Sequence, residues 1–453
     1  MTLCATRAAL MAAMLMMCAG AAAWAEEEAA TAAPADEGAV VTLEQAARAA
    51  LAHYQPYQIS QETVTQLIQQ RRQAFAGLLP TLTLDANVTR RTDTLSNISQ
   101  IPGDPPIIIR PENEWGYRAT LSQPLFAGGK SISGLRGASA QMRAGEQGVA
   151  QAREELLFNV AQAYYEVLKA RKRSELFEAE RTRLQEHRRS AEAQLKVGQV
   201  TKTVLLRAEA ELAGAEASLI RAQSDEAIAL DRLAQLTGLP AEMMLEAPTA
   251  PSPPSKEPDT LLVDAEAHRP ELLRSRLNER VAQLNVGVAR AELFPTLSLD
   301  LTYDKNAQDP ESRFAVETGD KFALLRLSFP LFEGGLQVAK IREARSEWRA
   351  AVLNTQFVEE TVGTEVRTAL RQVEALTGSV EQFTAQVRFA KENYELVSRQ
   401  FAVGLATNID LLDANSTLLT AEQELASATF DRDLAVLQLY KSIGRLTAHL
   451  LKE

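Results

Sequence analysis

The stretch LSQPLFAGG at residues 121–129 returns as LSFPLFEGG at residues 327–335, an offset of 206 positions. A chain that writes one turn twice at long range reads as a tandem duplication, and the surrounding residues keep the register. Val197-Gly198 in LKVGQVTK matches Val403-Gly404 in FAVGLATN, and Gly238 matches Gly444, both at 206. Between them Val160, Ala163 and Val167 align with Val366, Ala369 and Val373, so the copies run without a gap from 121 to 238. Upstream, LLPTLTLD (78–85) matches LFPTLSLD (293–300) at an offset of 215, which places nine extra residues in the first copy between 85 and 121. The predicted organisation is a first repeat over 26–246, a Pro-rich linker over 247–258 (APTAPSPPSKEP) and a second repeat over 259–453.

Each repeat reads helix, strand, loop, strand, long helix, turn, helix. Leu82, Leu84, Ala86 and Val88 interleave with Thr81, Thr83, Asp85 and Asn87, and Leu297, Leu299, Leu301 and Tyr303 interleave with Thr296, Ser298, Asp300 and Thr302. Trp115, Tyr117, Ala119 and Leu121 alternate with Arg118, Thr120 and Ser122; a fourth strand over 321–329 is blurred by Phe322 and Leu324. Period two gives each strand one apolar and one polar face. Pro80 and Pro295 stand where helix yields to strand, because proline cannot continue a helix and biases its predecessor to extended backbone. Pro124 and Pro330 are expected at the other strand ends, where a missing ladder donor is tolerated. Gly128-Gly129 and Gly334-Gly335 then let the chain swing from strand into helix. The helices that follow, 130–196 and 336–402, contain no proline, and at 1.5 Å per residue each would be a rod of roughly 100 Å. Return helices over 203–236 and 409–442, and helices before the strands over 43–79 and 259–294, are half as long; Pro56 and Pro270 mark fresh starts within the latter pair. Two half-length helices end to end cover one long rod.

Residues 1–25 have the pattern of a secretory signal peptide: Arg7, an apolar run, then Ala23-Trp24-Ala25 before Glu26. A lipoprotein signal acylated at Cys18 is the rival reading, although Met17 is not the small residue a lipobox wants. Both cysteines, Cys4 and Cys18, fall in this leader, so the mature chain is expected to use neither disulfides nor thiolate metal ligands. A formal charge of −11 argues against a nucleic-acid binder. No later apolar run of about 18 residues suggests a membrane helix. His53, His187, His268 and His449 are scattered, and HExxH, P-loop, GxSxG and GxGxxG are absent, so no catalysis, cofactor or metal site is expected.

Four alternating strands cannot close a membrane barrel alone, since single-chain barrels start at about eight, and lipid does not tolerate open sheet edges. Several copies must pool their strands, and the long rods likewise need neighbours for their apolar stripes. The hinges, the LLP and LFP strand starts, the VG turns and FAVGLATNIDLLDANSTLLTAEQEL (401–425) together resemble the TolC-type outer-membrane factors of efflux pumps and type I secretion systems. The resemblance covers the whole mature chain. It implies a membrane α+β fold: a tandem-repeat protomer of a homotrimeric, twelve-stranded transmembrane β-barrel, continued by a long periplasmic α-helical coiled-coil tunnel. It also implies a periplasmic adaptor and an inner-membrane transporter docking at the tunnel's lower end, and an outer-membrane location with most of the chain in the periplasm.

In that layout the VG turns are the periplasmic tips. Asp410 and Asp413 follow Gly404 and share a helix face at spacing i, i+3. The plainer reading makes them acidic residues that stabilise a first helical turn through its dipole. The resemblance implies instead two rings of three carboxylates that constrict the tunnel mouth and select cations. The chain departs from the family at Val204, Phe401 and Ala406, where TolC itself has an aspartate, a tyrosine and an arginine that link neighbouring helices in the closed state. Arg207 and Lys202 lie nearby as possible substitutes. Val197, Gly198, Val403 and Gly404 are the candidates for adaptor contact, against a plain tight turn in which glycine only supplies positive φ. Trp115, Tyr117 and Tyr303 fit an interfacial aromatic girdle or ordinary strand packing. A periplasmic helical-hairpin adaptor is the alternative function, but two hairpins and four membrane-type strands argue against it, and a pure coiled-coil spacer would have no use for the strands. The exported substrate, whether drug, metal ion or polypeptide, is left open by the sequence.

Overall fold

The computed structural model describes residues 40–97, 107–254, 257–309 and 319–452; the expected leader with Cys4 and Cys18, and two linker positions, lie outside them. The first repeat contributes β1 (Val40–Val41), α1 (Leu43–His53), α2 (Gln55–Ala76), β2 (Thr81–Arg90), β3 (Leu95–Asn97), β4 (Ile107–Arg110), β5 (Asn113–Ala127), α3 (Lys130–Lys196), α4 (Lys202–Thr237) and β6 (Met244–Leu245). The second contributes α5 (Pro258–His268), α6 (Pro270–Ala291), β7 (Thr296–Asp309), β8 (Gly319–Ser328), α7 (Leu336–Ala402), α8 (Asn408–Ser442) and α9 (Leu446–Leu451). The two long helices are 67 residues each, close to 100 Å of rise. Pro56 lies in the first turn of α2 and Pro270 opens α6, where a missing N–H costs nothing. The insertion in the first copy supplies the small β3–β4 pair, which alternation did not reveal.

The main sheet is antiparallel with order β2-β5-β7-β8. Its register puts Leu82 beside Leu121, Leu121 beside Leu301 and Leu301 beside Ala323, so one face is a continuous apolar band. Leu82 and Val88 are 73% and 83% exposed in the single chain, which is the mark of a face meant for lipid. The opposite face aligns Asp85, Arg118, Asp304 and Asp320 in one row, with Arg118 3.4 Å from Asp304 and Ser122 donating to Asp300 at 2.6 Å. Phe322 and Leu324 do project on that polar face. The outer edges of β2 and β8 are unpaired in the protomer, a state that lipid would penalise.

The two repeats do not form separate bodies. β5 of the first pairs with β7 of the second, and α3 packs against both α6 and α8. The largest cores gather midway along the rods. One buries Leu157, Val160, Tyr164 and Val167 of α3 against α1, Leu233 of α4 and Leu446 of α9; the other buries Val366 and Val373 of α7 against Leu261 of α5 and Leu439 of α8. The Tyr164 hydroxyl, 2.9 Å from the Val41 carbonyl and 2.5 Å from that of Glu246, ties the β1–β6 pair to this waist. Toward the tips the buried apolar clusters shrink to Leu184 with Leu212 and Ala215, and Ala390 with Leu418 and Ala421. Fewer buried apolar contacts per turn make the tips the parts that open most cheaply.

Candidate functional site

At the sheet–helix junction, Pro80 and Pro295 immediately precede β2 and β7 as expected from the sequence, and Pro330 follows β8. Pro124 does not end its strand. It sits at a β-bulge inside β5, which continues to Ala127, because a bulge excuses the missing donor as well as a strand end does. Gly128, Gly129, Gly334 and Gly335 all have positive φ. A side chain on Gly128 would also meet the Ala291 carbonyl, so this hinge is wedged against the end of α6; Gly334 has open space around it.

At the far end the two helical hairpins turn with the same backbone. Gly198 and Gly404 have φ of 77° and 79°, and the Gln199 and Leu405 N–H groups reach back to the Gln194 and Gln400 carbonyls at 2.9 and 2.8 Å. This is the Schellman closure, and glycine is there because the left-handed position requires it. Val197 and Val403 are each 71% exposed, and Leu405 and Ile409 beside them are also exposed. Leu405 falls within the tip that the sequence marks over 403–408, and Ile409 lies just beyond it.

The first two turns of α8 hold both candidate aspartates on the exposed side. Asp410 Oδ2 accepts from the Thr407 N–H at 2.8 Å and from its hydroxyl at 2.6 Å, while the Asp410 N–H donates to Thr407 Oγ1 at 3.3 Å. That is a reciprocal capping box. The Thr407 hydroxyl, and then its N–H, hold the Asp410 carboxyl below the usual aspartate range, so it stays ionised at neutral pH. The plainer, helix-stabilising role of Asp410 is thus present in the protomer. Asp413 is exposed one turn further on, with no cap to serve.

A polar seam between α3 and α8, not anticipated from the sequence, runs up from the tip. His187 lies 2.6 Å from Asn408 Oδ1 through Nε2, and its ring meets Phe401 edge-on with centroids 5.2 Å apart. Burial pulls the His187 pKa down, opposed by the bond to Asn408. Two turns higher Asn415 donates to Glu180 at 2.6 Å and Arg183 donates to the other Glu180 oxygen at 3.1 Å. Burial raises the Glu180 pKa against both donors. Arg183 is also 3.7 Å from Glu422, and Lys169 closes the seam on Asp431 at 2.9 Å. The only signal for this seam was polar residues at helical spacing, which read equally as a solvated face. Val204, Phe401 and Ala406 all line one cleft of about 660 Å³ between the two tips. Arg207 and Lys202 form no ion pair among the described residues; Phe401 instead is buried against His187.

Two segments, residues 60–239 and 261–445, match the family described as outer membrane efflux protein, one segment per repeat. The chain is 27% identical over 333 residues to the outer membrane protein TolC of Vibrio cholerae serotype O1, covering 72% of this chain and 76% of that protein. It is 29% identical over 374 residues to the alkaline protease secretion protein AprF of Pseudomonas aeruginosa, covering 80% and 76%. The Campylobacter jejuni CmeC outer membrane channel superposes with a TM-score of 0.78 at 19% identity, over 89% of this chain and 86% of that one. That likeness confirms the fold: barrel strands continued by long helical hairpins. Nothing among these relatives supports the hairpin-adaptor alternative.

Proposed function

The chain belongs to the outer membrane efflux protein family, a family of outer-membrane exit ducts, and from that premise we propose that it works as one third of a passive homotrimeric conduit. The carrying observation is a four-stranded sheet, apolar outside and polar inside, that runs directly into two 67-residue helices. Three such sheets, joined β8 to β2, close twelve strands and remove every edge. The helices then continue the bore into the periplasm, where most of the chain lies. The duct performs no chemistry of its own: energy and substrate choice belong to an inner-membrane transporter, reached through a periplasmic adaptor. The paired VG tips, with exposed Val197 and Val403 flanking Gly198 and Gly404, are the adaptor's contact points. Asp410 and Asp413 form stacked carboxylate rings that narrow the mouth and hold cations. Asp410 serves both as helix cap and as ring member, since its cap bonds engage one oxygen and keep it ionised.

The test is to extract the mature protein from outer membranes in detergent and image single particles. A threefold tube with a helical section near 100 Å is expected. Monomeric or compact particles would overturn the duct reading.

A further inference from the structure

The lipid-facing side of the sheet is apolar through its lower rows, with Leu297 beside Leu327, Leu299 beside Leu325, and Leu121 beside Leu301. Above these rows its chemistry changes. Lys321 stands beside Tyr303, and Lys305 beside Tyr117, all on the outward face. Neither lysine forms an ion pair with a carboxylate among the described residues. Arg90, further out on β2, lies 3.7 Å from Glu112 and is not free in the same sense.

The two lysines sit in a built setting. Lys321 Nζ lies 5.6 Å from the centre of the Tyr303 ring, and the Tyr303 and Tyr117 rings are 5.9 Å apart. The Tyr303 hydroxyl rests over Gly319, where a side chain would come within 3.3 Å of it. Directly below, a shallow groove of about 390 Å³ runs over Ala119 and Ala323 between Leu82, Leu121 and Leu301, with Lys321 and Tyr303 at its rim. Small residues set between leucines leave a shallow apolar depression on the outward face.

Height decides which part of the membrane this patch meets. Eight residues of strand separate Leu297 from Lys305, about 26 Å along the strand and roughly 20 Å along the membrane normal at a tilt near 40°. Lys305 therefore lies near the top of an apolar band of about 25 Å, at the end away from the helices, and Lys321, level with Tyr303, lies about 5 Å lower, where its long stem can carry the ammonium upward. Unpaired ammonium groups there would be costly if they faced only hydrocarbon and are tolerated at the phosphate level.

We propose that Lys305 and Lys321 bind a phosphate of an anionic glycolipid of the outer leaflet, with one of its acyl chains in the groove below Tyr303. The commitment to a phosphate-bearing lipid rests on charge complementarity at the rim and an apolar depression beneath it. It also rests on the outer-membrane duct reading, which supplies the orientation. The probe is diphosphorylated lipid A titrated into the detergent-purified trimer, with bound copies counted by native mass spectrometry. Expected are up to three retained lipids per trimer, and at least tenfold weaker retention in K305Q/K321Q. K305R/K321R should stay within about threefold of wild type, because charge is kept. R118Q, which removes a cation at similar height from the polar face, should match wild type. Neutral glutamine on a lipid-facing position is less costly than lysine, so the double variant is expected to assemble.

Equal retention by wild type and K305Q/K321Q would overturn the proposal. So would an equal loss in R118Q, which would make the effect one of overall charge. Displacement of lipid A by millimolar inorganic phosphate would also overturn it, by showing an anion site without a lipid component. A trimer that forms but retains no lipid A sinks only this inference. Failure to recover a trimer from outer membranes sinks the duct reading on which it rests.

Discussion

The two tips share a backbone and differ in chemistry. Thr201 and Thr407 occupy the same place before their return helices, with φ of −84° and −86°, yet only Thr407 caps its helix through its side chain. The reason lies three residues on, where the second tip has Asp410 and the first has Val204; at the next turn Asp413 is answered by Arg207. The same asymmetry governs the bridge between hairpins. His187 and Asn408 meet in the chain, while their repeat counterparts, Asn393 and Lys202, offer no such pair. Duplication supplied two equal scaffolds, and divergence placed the His187–Asn408 bond and the two exposed aspartates at the second tip only.

The largest break in this comparison is expected from His187→Ala. It removes a buried ring, strips Asn408 of its partner and exposes Phe401, at a cost of about 2–3 kcal/mol. Read as hydrogen exchange of the tip amides, protection should fall by roughly thirtyfold or more around 187 and 408. Asn393→Ala, the counterpart on an exposed surface, should change protection little. Equal effects at both positions would mean the seams are not distinguished by this bridge. Next in size is the charge. Asp410→Ala with Asp413→Ala should raise conductance or weaken block by multivalent cations about tenfold, near 1.4 kcal/mol. Adding Val204→Asp with Arg207→Asp to the wild type should strengthen the block. Unchanged conductance and block in both would return the aspartates to helix capping alone.

What was legible in the sequence follows from which signals are local. Hinges, rods and VG turns rest on backbone rules, so proline and glycine positions plus periodicity placed them to within a residue or two. The long helices Lys130–Lys196 and Leu336–Ala402 fall where the absence of proline put them. Pro124 misled because a bulge and a strand end impose the same requirement on the backbone. The His187–Asn408 and Glu180–Asn415 contacts were not legible, since each joins residues more than 200 positions apart on different hairpins. Periodicity says which side of a helix is buried, but not what stands opposite. The sequence reading did not single out Lys305 or Lys321, because their grouping on one face needed the register of β5, β7 and β8.

A smaller effect sharpens the comparison at the caps. Thr407→Ala removes both bonds made by the Thr407 hydroxyl, while the backbone N–H to Asp410 is kept, and should cost about 1 kcal/mol, seen as loss of amide protection in the first turn of α8. Thr201→Ala removes no side-chain bond and should cost a few tenths of a kcal/mol or less. Equal losses would mean that backbone closure, and not the side-chain cap, sets the stability of both tips.

The last effect is the pH dependence of the bonded seam. Burial depresses the His187 pKa in the closed tip below the ordinary 6.5, so the closed state favours the neutral ring. Its contribution is in full force above pH 6.5 and is lost as pH falls toward the depressed value, because an open tip binds the proton more tightly. Glu180 works in the opposite sense. Its raised pKa means that acid neutralises a buried carboxylate and favours the closed seam, and the effect sets in as pH approaches that raised value from above. Each group can contribute at most about 1.4 kcal/mol per pH unit, and the two partly cancel. The prediction is therefore differential: between pH 7.5 and 5.5 the wild-type tip loses protection relative to His187→Gln, which keeps a donor toward Asn408 but cannot titrate. The same wild-type comparison against Glu180→Gln should show the reverse sign. If all three proteins trace one pH profile, protons do not act on the tip through this seam, and its bonds serve only to hold the two hairpins together.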